Sequence, residues 1–253
     1  GSRHQFGNFG TPLTQPSPPE EGGRGLCGSA LNQFPERIVM WGAGDQGRVN
    51  QPIIDALGGR LFAAIDDTPG LASPFPGVEV FEGYERFRAW LGPADRSAIG
   101  FIIAIGNPYG HVRVRLHDMM AAEGFQPVSF ADPSAVISAD AVLGPGAQIM
   151  PGAVIQTRVR LGTQCLINTS ASVDHDCVLE DGVEIAPGAV LCGRVHVGRH
   201  AWVCAGATLI SRVRIGTGAI VAAGATVIRD VPDHVMVAGV PARWKKDLEK
   251  AGG

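Results

Sequence analysis

The chain has 253 residues, a formal net charge of −3 and 45% hydrophobic residues. This length allows two domains with their own cores. The charge shows no basic excess that would suggest nucleic acid or an anionic membrane surface as a partner. No apolar run is long enough to predict a membrane span or a signal peptide. None of the five cysteines forms a CxxC pair, so we expect a protein of the reducing cytoplasm.

The first 35 residues are rich in proline and glycine and show no periodicity. They are predicted to form a flexible tail. An interaction segment is the alternative for this part of the chain.

The next segment reads as the start of a Rossmann-like βαβ unit. A buried strand, Arg37 to Trp41, runs into the turn Gly42-Ala43-Gly44-Asp45-Gln46-Gly47, an amphipathic helix through Leu57, and a strand from Leu61 to Ile65. Glycines let the backbone approach a phosphate at a helix N-terminus. The acids Asp66 and Asp67 follow at the distance where a carboxylate can bind ribose hydroxyls. A tight structural turn without a ligand is the alternative.

The same domain is predicted to continue to residue 131. We expect a helix near Tyr84 to Leu91, a strand from Gly100 to Ile105, a helix from about Tyr109 to Glu123, and a last strand near Pro127 to Phe130. At about 95 residues it is small for a full dinucleotide fold, which has six strands, and suits a half-sized βαβ domain that holds a mononucleotide. On its last helix, Arg113 and Arg115 are expected to face phosphates or to be solvated.

The stretch from Ile137 to Val231 repeats every six residues. In sixteen consecutive hexads the first position is always aliphatic, and the fifth is always small or β-branched. This period fits neither a helix nor an ordinary strand and predicts a parallel β-helix. We assign glycines such as Gly144 and Gly162, which follow the aliphatic residue, to bends with unusual backbone conformations. The predicted solenoid covers residues 132–232, and residues 233–253 form a C-terminal extension.

The repeat resembles that of the hexapeptide-repeat acyltransferases. This resemblance implies a left-handed coil of three hexads, or eighteen residues. One histidine, His175, lies outside the aliphatic interior of the repeat and is flanked by Asp174 and Asp176. A carboxylate on one ring nitrogen leaves the other free as a base. Gly193, eighteen residues later, should lie beside the ring and offer its amide N–H to an oxyanion. A solvated surface histidine is the alternative.

Residues 36 to 243 are similar to the bacterial sugar acetyltransferases of the PglD and NeuD type. The resemblance is carried by the glycine turn, Asp66-Asp67, Ala104-Ile105-Gly106-Asn107, Asn168-Thr169-Ser170, His175-Asp176-Cys177-Val178 and Gly239-Val240-Pro241-Ala242. It implies a homotrimer that binds acetyl-CoA between neighbouring solenoids and needs no metal. It assigns His175 and Asp176 to catalysis, and Gly193, Ala205 and Ala223 to acetyl-CoA. The residues implied for the nucleotide-linked amino sugar are Gly42, Gly44, Gln46, Gly47, Asp66, Asp67, Gly106, Asn107 and Asn168.

One position departs from the family pattern. Where PglD-type enzymes have a second histidine, nine residues after the base, this chain has Glu184. We expect Glu184 to bind the substrate ammonium or to be a plain surface acid. The favoured reaction is N-acetylation of a nucleotide-linked 4-amino sugar, GDP-perosamine-like, for O-antigen or glycan biosynthesis.

Three alternatives remain open on the sequence. The same scaffold could O-acetylate a sialic acid. It could be a zinc lyase of the γ-carbonic-anhydrase kind that uses His175, His196 and His200, because imidazoles bind zinc. It could also be a non-catalytic scaffold that senses a nucleotide.

Overall fold

The computed structural model describes residues 31–249. The N-terminal unit is a parallel sheet with helices on its faces, as predicted. Its elements are β1 Arg37–Trp41, α1 Asp45–Ala56, β2 Leu61–Asp66, β3 Glu79–Glu82, α2 Tyr84–Leu91, a 3-10 turn Arg96–Ala98, β4 Ile99–Ile103, α3 Gly110–Ala122 and β5 Gln126–Pro127.

The five strands lie in the order β3-β2-β1-β4-β5 and are all parallel. The chain therefore extends outward from β1 in one direction and from β4 in the other. This reversal forms a crevice at the carboxyl ends of β1 and β4, where open α/β sheets bind ligands. The sequence did not predict β3, which has only four residues.

Most of the remaining described chain is a left-handed parallel β-helix with three sheets, which confirms the predicted fold. Strands eighteen residues apart pair in parallel, as Arg160 does with Val178 and Ser172 with Val190. The six-stranded sheet contains Val136–Ile137, Val154–Ile155, Ser172–Val173, Val190–Leu191, Thr208–Leu209 and Thr226–Val227. The four-stranded sheet contains Arg160–Leu161, Val178–Leu179, His196–Val197 and Arg214–Ile215. The eight-stranded sheet contains Phe130–Ala131, Gln148–Ile149, Leu166–Ile167, Glu184–Ile185, Trp202–Val203, Ile220–Val221, Val235–Ala238 and Arg243–Asp247.

The core of the solenoid consists of the first and fifth residues of each hexad. The aliphatic residues from Leu143 to Val227 and the small residues from Ala141 to Val231 form one buried cluster. Cys165 and Cys177 stand at the small fifth position of their hexads, belong to this cluster and are fully buried, so they contribute to packing. Each coil buries little apolar surface alone, and stacking on its neighbours makes this core continuous.

The interpretation of the glycines that follow the aliphatic residue was wrong. Left-handed backbone occurs at the fourth position of the hexads, for example at Gly152 and at Asp176, whose φ is 58°. Gly144 does not have a positive φ, but a Cβ atom there would overlap the carbonyl of Gly162 on the next coil. These glycines therefore permit close stacking of the coils.

The N-terminal unit packs on the outer surface of the eight-stranded sheet. One apolar cluster joins Ile38, Met40 and Ile54 to Phe130, Met150 and Leu166 of the solenoid. The single strand predicted near Pro127 to Phe130 is two: β5 belongs to the N-terminal sheet, while Phe130–Ala131 pairs with Gln148–Ile149. The solenoid sheet therefore begins at Phe130.

The segments at both ends of the described range pack against other elements. Residues 31–35, which the sequence placed in the flexible tail, contact both units, since Leu31 packs on the solenoid core and Phe34 on the interface cluster. The rest of that tail lies outside the described residues. At the other end, Arg243–Asp247 pairs antiparallel with Val235–Ala238. Among residues 31–249, no helix has the length and apolarity needed to cross a membrane.

Candidate active site

His175 lies at the corner where the chain leaves the six-stranded sheet and turns towards the four-stranded sheet. We call this the His175 corner. The imidazole Nδ1 is 2.7 Å from Asp176 Oδ2, and the side chain is 45% exposed. Because a carboxylate only accepts, it fixes the proton on Nδ1 and leaves Nε2 free as a base.

Asp176 is held by charges as well as by the histidine. Arg158, one coil earlier, donates to it with Nε at 2.6 Å and with an Nη at 3.0 Å. Arg194, one coil later, has Nε 3.7 Å from the same carboxylate. The Arg158 guanidinium, followed by His175, holds the pKa of Asp176 well below its ordinary value. The acid beside the base is therefore ionised throughout the neutral range.

Gly193 stacks directly above the imidazole, as predicted. A methyl group built on its Cα would lie within 2.9 Å of three ring atoms, Nε2, Cε1 and Cδ2 of His175. Its carbonyl accepts from Arg212 at 3.1 Å, but its amide makes no hydrogen bond to any residue from 31 to 249. A free N–H beside a free ring nitrogen suits an acyl oxygen on which negative charge develops.

Ala205 and Ala223 lie at a different corner, between the eight-stranded and six-stranded sheets, which we call the Ala205 corner. Both are exposed and stacked one coil apart, and the amide of Gly224 donates to the Ala205 carbonyl at 2.9 Å. Asn168 begins the turn at this corner two coils below. The six-stranded sheet thus separates the predicted acetyl-CoA residues at this corner from Gly193 in the same chain.

The glycine turn lies at the crevice of the N-terminal sheet. Gly42 has φ 107°, and a side chain there would strike the carbonyl of Ala104. A Cβ on Gly47 would meet the carbonyl of Gly42, whereas Gly44 is exposed and has open space around it. Close backbone contacts therefore explain why residues 42 and 47 are glycines, whether or not a ligand binds. Gly44 has no such contact and leaves space for a ligand.

Asp66 ties the turn to the end of β2. Its two oxygens accept from the amides of Ala43 at 2.8 Å and Thr68 at 3.0 Å. Burial acts to raise the pKa of Asp66, and these hydrogen bonds outweigh it, so the pKa lies below its ordinary value. Asp67 is exposed beside the crevice.

Asn107 and Glu184 meet at the interface between the two units. Asn107, after β4, donates Nδ2 to Glu184 Oε1, while Arg113 on α3 has an Nη 3.3 Å from Oε2. Glu184 is 2% exposed, so the expectation of a plain surface acid was wrong. The expectation for Arg113 was wrong as well: it is fully buried and donates to the carbonyls of Ile105, Gln164 and Gly182.

Gln46 reaches the same interface through a second chain of amides. Gln46 Nε2 donates to Asn50 at 2.9 Å, and Asn50 donates to Gln148 of the solenoid at 2.8 Å. Gln148 in turn donates to the carbonyl of Ile103 at 2.8 Å. The sequence did not predict the roles of Asn50 and Gln148, because only the docking of the two units makes them partners.

The three histidines of the zinc alternative make separate contacts. His196 Nε2 is 2.7 Å from Glu180, and His200 faces His111 with ring centroids 6.4 Å apart. Within residues 31–249 no group of three or more His, Cys, Asp or Glu side chains is arranged to hold a metal ion.

The solenoid of hexapeptide repeats carries an oriented histidine beside a free amide. This combination of fold and site defines the protein as an acyltransferase. No family model matches the chain. Solved structures do. GDP-perosamine N-acetyltransferase from Caulobacter crescentus, solved as a histidine variant with CoA and GDP-perosamine, is 33% identical; the match covers 83% of this chain and 97% of that chain, with a TM-score of 0.74.

Two further structures match a similar share of the chain. The acetyltransferase domain of PglB from Neisseria gonorrhoeae FA1090, solved with acetyl coenzyme A, is 30% identical, with 83% and 99% of the two chains covered and a TM-score of 0.74. WeeI from Acinetobacter baumannii AYE is 29% identical, with 84% and 100% covered and a TM-score of 0.74. The chain belongs to the family of bacterial sugar N-acetyltransferases with hexapeptide repeats.

Proposed function

We propose that the chain moves the acetyl group of acetyl-CoA to the amine of a nucleotide-linked 4-amino sugar, with a GDP-perosamine-like sugar as the favoured substrate. The observation that carries this proposal is the His175 corner, where Asp176 orients the imidazole beneath the unpaired amide of Gly193. The ligands of the Caulobacter crescentus enzyme, CoA and GDP-perosamine, support both substrates.

The chemistry follows from the two free groups at this corner. The sugar nitrogen attacks the thioester carbon; a C–N bond forms and the C–S bond breaks. Nε2 of His175 takes the proton that the nitrogen loses and returns it to the departing sulfur. The Gly193 amide donates to the thioester oxygen as charge develops there. Holding both substrates in one site supplies much of the rate.

A single chain does not bring these parts together. The His175 corner joins the six-stranded and four-stranded sheets, so it is the corner of the triangular solenoid opposite the eight-stranded sheet. The N-terminal unit, with its crevice, packs on that eight-stranded sheet. A nucleotide sugar held in the crevice is therefore on the far side of the solenoid from His175 of the same chain.

We infer that a homotrimer completes the site. Every outward residue of the six-stranded sheet, at the positions flanking its inward aliphatic residues, is uncharged except Asp174. Four of the exposed large apolar side chains described lie on this face: Val136, Val190, Ile210 and Ile228. Such a surface suits burial between copies.

Three solenoids that turn this face to a common axis bring the His175 corner of one copy beside the Ala205 corner of the next. The groove between them would then contain His175 and Gly193 from one copy and Ala205, Ala223 and Asn168 from its neighbour. The crevice with Gly42, Gly44, Gln46, Gly47, Asp66, Asp67, Gly106 and Asn107 would come from that neighbour. Acetyl-CoA and nucleotide sugars are cytoplasmic metabolites, and we place the reaction there.

The test is release of free thiol from acetyl-CoA with GDP-, UDP- and dTDP-linked 4-amino sugars, for the wild type and His175→Asn. We expect turnover on one amino sugar and a loss of about 10²- to 10⁴-fold in the variant, the range for a general base. Sialic acids in the same assay test the O-acetylation alternative. Nucleotide binding without thiol release on any acceptor would contradict the proposal and favour a scaffold.

A further inference from the structure

We propose that Glu184 is a positioning residue that holds Asn107 so that the amide carbonyl oxygen of Asn107 faces the substrate crevice. This inference rests on the proposed function, because it takes Asn107 as a contact of the nucleotide-linked sugar. It replaces the direct role for Glu184 in binding the substrate ammonium that the sequence suggested.

Both oxygens of Glu184 already have protein partners. Oε1 accepts from Asn107 Nδ2, and Oε2 lies 3.3 Å from an Nη of Arg113. The strand Glu184–Ile185 lies inside the eight-stranded sheet, and the Glu184 side chain is 3% exposed. A carboxylate enclosed in this way is not placed to receive an ammonium group from the crevice.

The chemistry of the pair decides which end of the Asn107 amide points outward. An ionised carboxylate has no proton to donate, so only the NH₂ end of the amide can face it. The carbonyl oxygen of Asn107 accepts no hydrogen bond from the described residues, and it is not among the buried polar atoms without a partner. It therefore remains open as an acceptor for a sugar hydroxyl or amine.

Burial raises the pKa of Glu184, and the Arg113 guanidinium acts against this rise and favours the ionised carboxylate. Arg113 is fully buried, and removal of one partner from a buried ion pair leaves the other charge uncompensated. One Nη also donates to the carbonyl of Ile105 at 3.1 Å. Arg113 thus holds the backbone that leads into Asn107, while Glu184 holds its side chain.

A second hydrogen-bond network across the interface between the two units holds Gln46 in the same way as Glu184 holds Asn107. Gln46 donates its NH₂ to Asn50, which is anchored on Gln148 of the eight-stranded sheet. The Gln46 carbonyl oxygen accepts no described hydrogen bond and lies 4.0 Å from a Cβ built on Gly106. The NH₂ group of Asn107 is thus held directly by a solenoid residue, and that of Gln46 is held through Asn50. Each side chain leaves an acceptor at the crevice.

The experiment compares steady-state kinetics of the wild type and Glu184→Gln in the full-length protein. A glutamine can donate to the Asn107 carbonyl and so stabilise the reversed amide. We expect KM for the nucleotide sugar to rise by about tenfold or more, which is the effect of mutating residues that orient the ligands of a metal site. KM for acetyl-CoA should stay unchanged. If Glu184→Gln does not fold, Glu184→Asp provides the test, since it keeps a charge opposite Arg113 and withdraws it from Asn107.

A double-mutant cycle separates positioning from general damage. Asn107→Ser should raise the same KM, and adding Glu184→Gln to it should raise KM little further. The matched control is Val183→Ala, next to Glu184 but buried in the solenoid core. It should lower Tm and leave both KM values unchanged.

Different results would contradict the positioning role and the proposed function. Wild-type turnover with an unchanged sugar KM in the Glu184 variants, or additive effects in the cycle, would overturn the positioning role and leave the proposed function intact. If the wild type acetylates none of the sugars, calorimetry with the same GDP-, UDP- and dTDP-linked 4-amino sugars decides. Weaker binding in Glu184→Gln would support the positioning role, while equal binding, or none by the wild type, would overturn it.

Discussion

The substitution Gly193→Ala should reduce kcat about 10²-fold while the fold is retained. The third hexad position at the His175 corner tolerates side chains, since Ala139, Thr157, Ser211 and Arg229 occupy it on other coils. Gly193 does not have the positive φ that favours glycine. The solenoid itself therefore does not require a glycine at this position.

The magnitude follows from the contact with His175. The new methyl group would lie within 2.9 Å of three ring atoms, whereas non-bonded carbon atoms prefer about 3.5 Å or more. The exposed ring must therefore retreat by roughly 1 Å from its position against Asp176. A displacement of this size can reduce the rate about 10²-fold, or about 2.7 kcal/mol in the barrier.

The assay is thiol release at saturating substrates, together with thermal unfolding. Ser211→Ala, one coil above Gly193 at the same corner, is the control and should keep the wild-type kcat and Tm. A Gly193→Ala variant with wild-type kcat would refute the reasoning, because it would show that catalysis does not depend on the orientation of the His175 imidazole seen in the structure.

Three further predictions concern the acid, the assembly and the thiols. Asp176→Asn should lower kcat by about 10²-fold or more, because an amide can donate to Nδ1 and leave the proton on Nε2; an unchanged kcat would remove Asp176 from catalysis. Val190→Arg should convert trimers to monomers in light scattering, while Val178→Arg on the four-stranded sheet should not, and equal effects of the two would argue against the proposed interface. Burial raises the pKa of Cys165 to about 12 and that of Cys177 to about 11, so alkylation of folded protein at pH 8 should spare both, and their reaction should increase only as pH approaches these values or the chain unfolds. Rapid labelling of either thiol at pH 8, read by peptide mass mapping, would contradict this last prediction.

The sequence predicted those parts of the site that depend on the repeat. Because the coil takes eighteen residues, His175 and Gly193 could be paired by counting, and the structure stacks them. Ala205 and Ala223 are likewise eighteen residues apart, and the structure stacks them on successive coils. These relations are local to the solenoid and need no knowledge of how the two units dock.

The parts that the sequence did not predict depend on docking. Arg113 reads as a charged residue on a helix surface, and His117, with a side chain near Gln164, reads as solvated; both are buried because α3 packs against the solenoid. The role of Gly144 was misread for a related reason. Its neighbour is the backbone of another coil. The sequence pattern shows that a glycine is needed at this position, but it does not show whether the reason is a positive φ or the close approach of another chain segment.

Glu184 shows how one repeat position acquires different uses on different sheets. It occupies the outward position just before the inward aliphatic residue, as Val190 does on the six-stranded sheet and His196 on the four-stranded sheet. The repeat requires only that this side chain point away from the core. On the six-stranded sheet that freedom leaves a surface that is uncharged apart from Asp174, which we propose is covered by another copy. On the eight-stranded sheet it lets a carboxylate meet Arg113 and Asn107. Substrate selection can therefore change by substitution at such outward positions while the core, and with it the fold, stays the same.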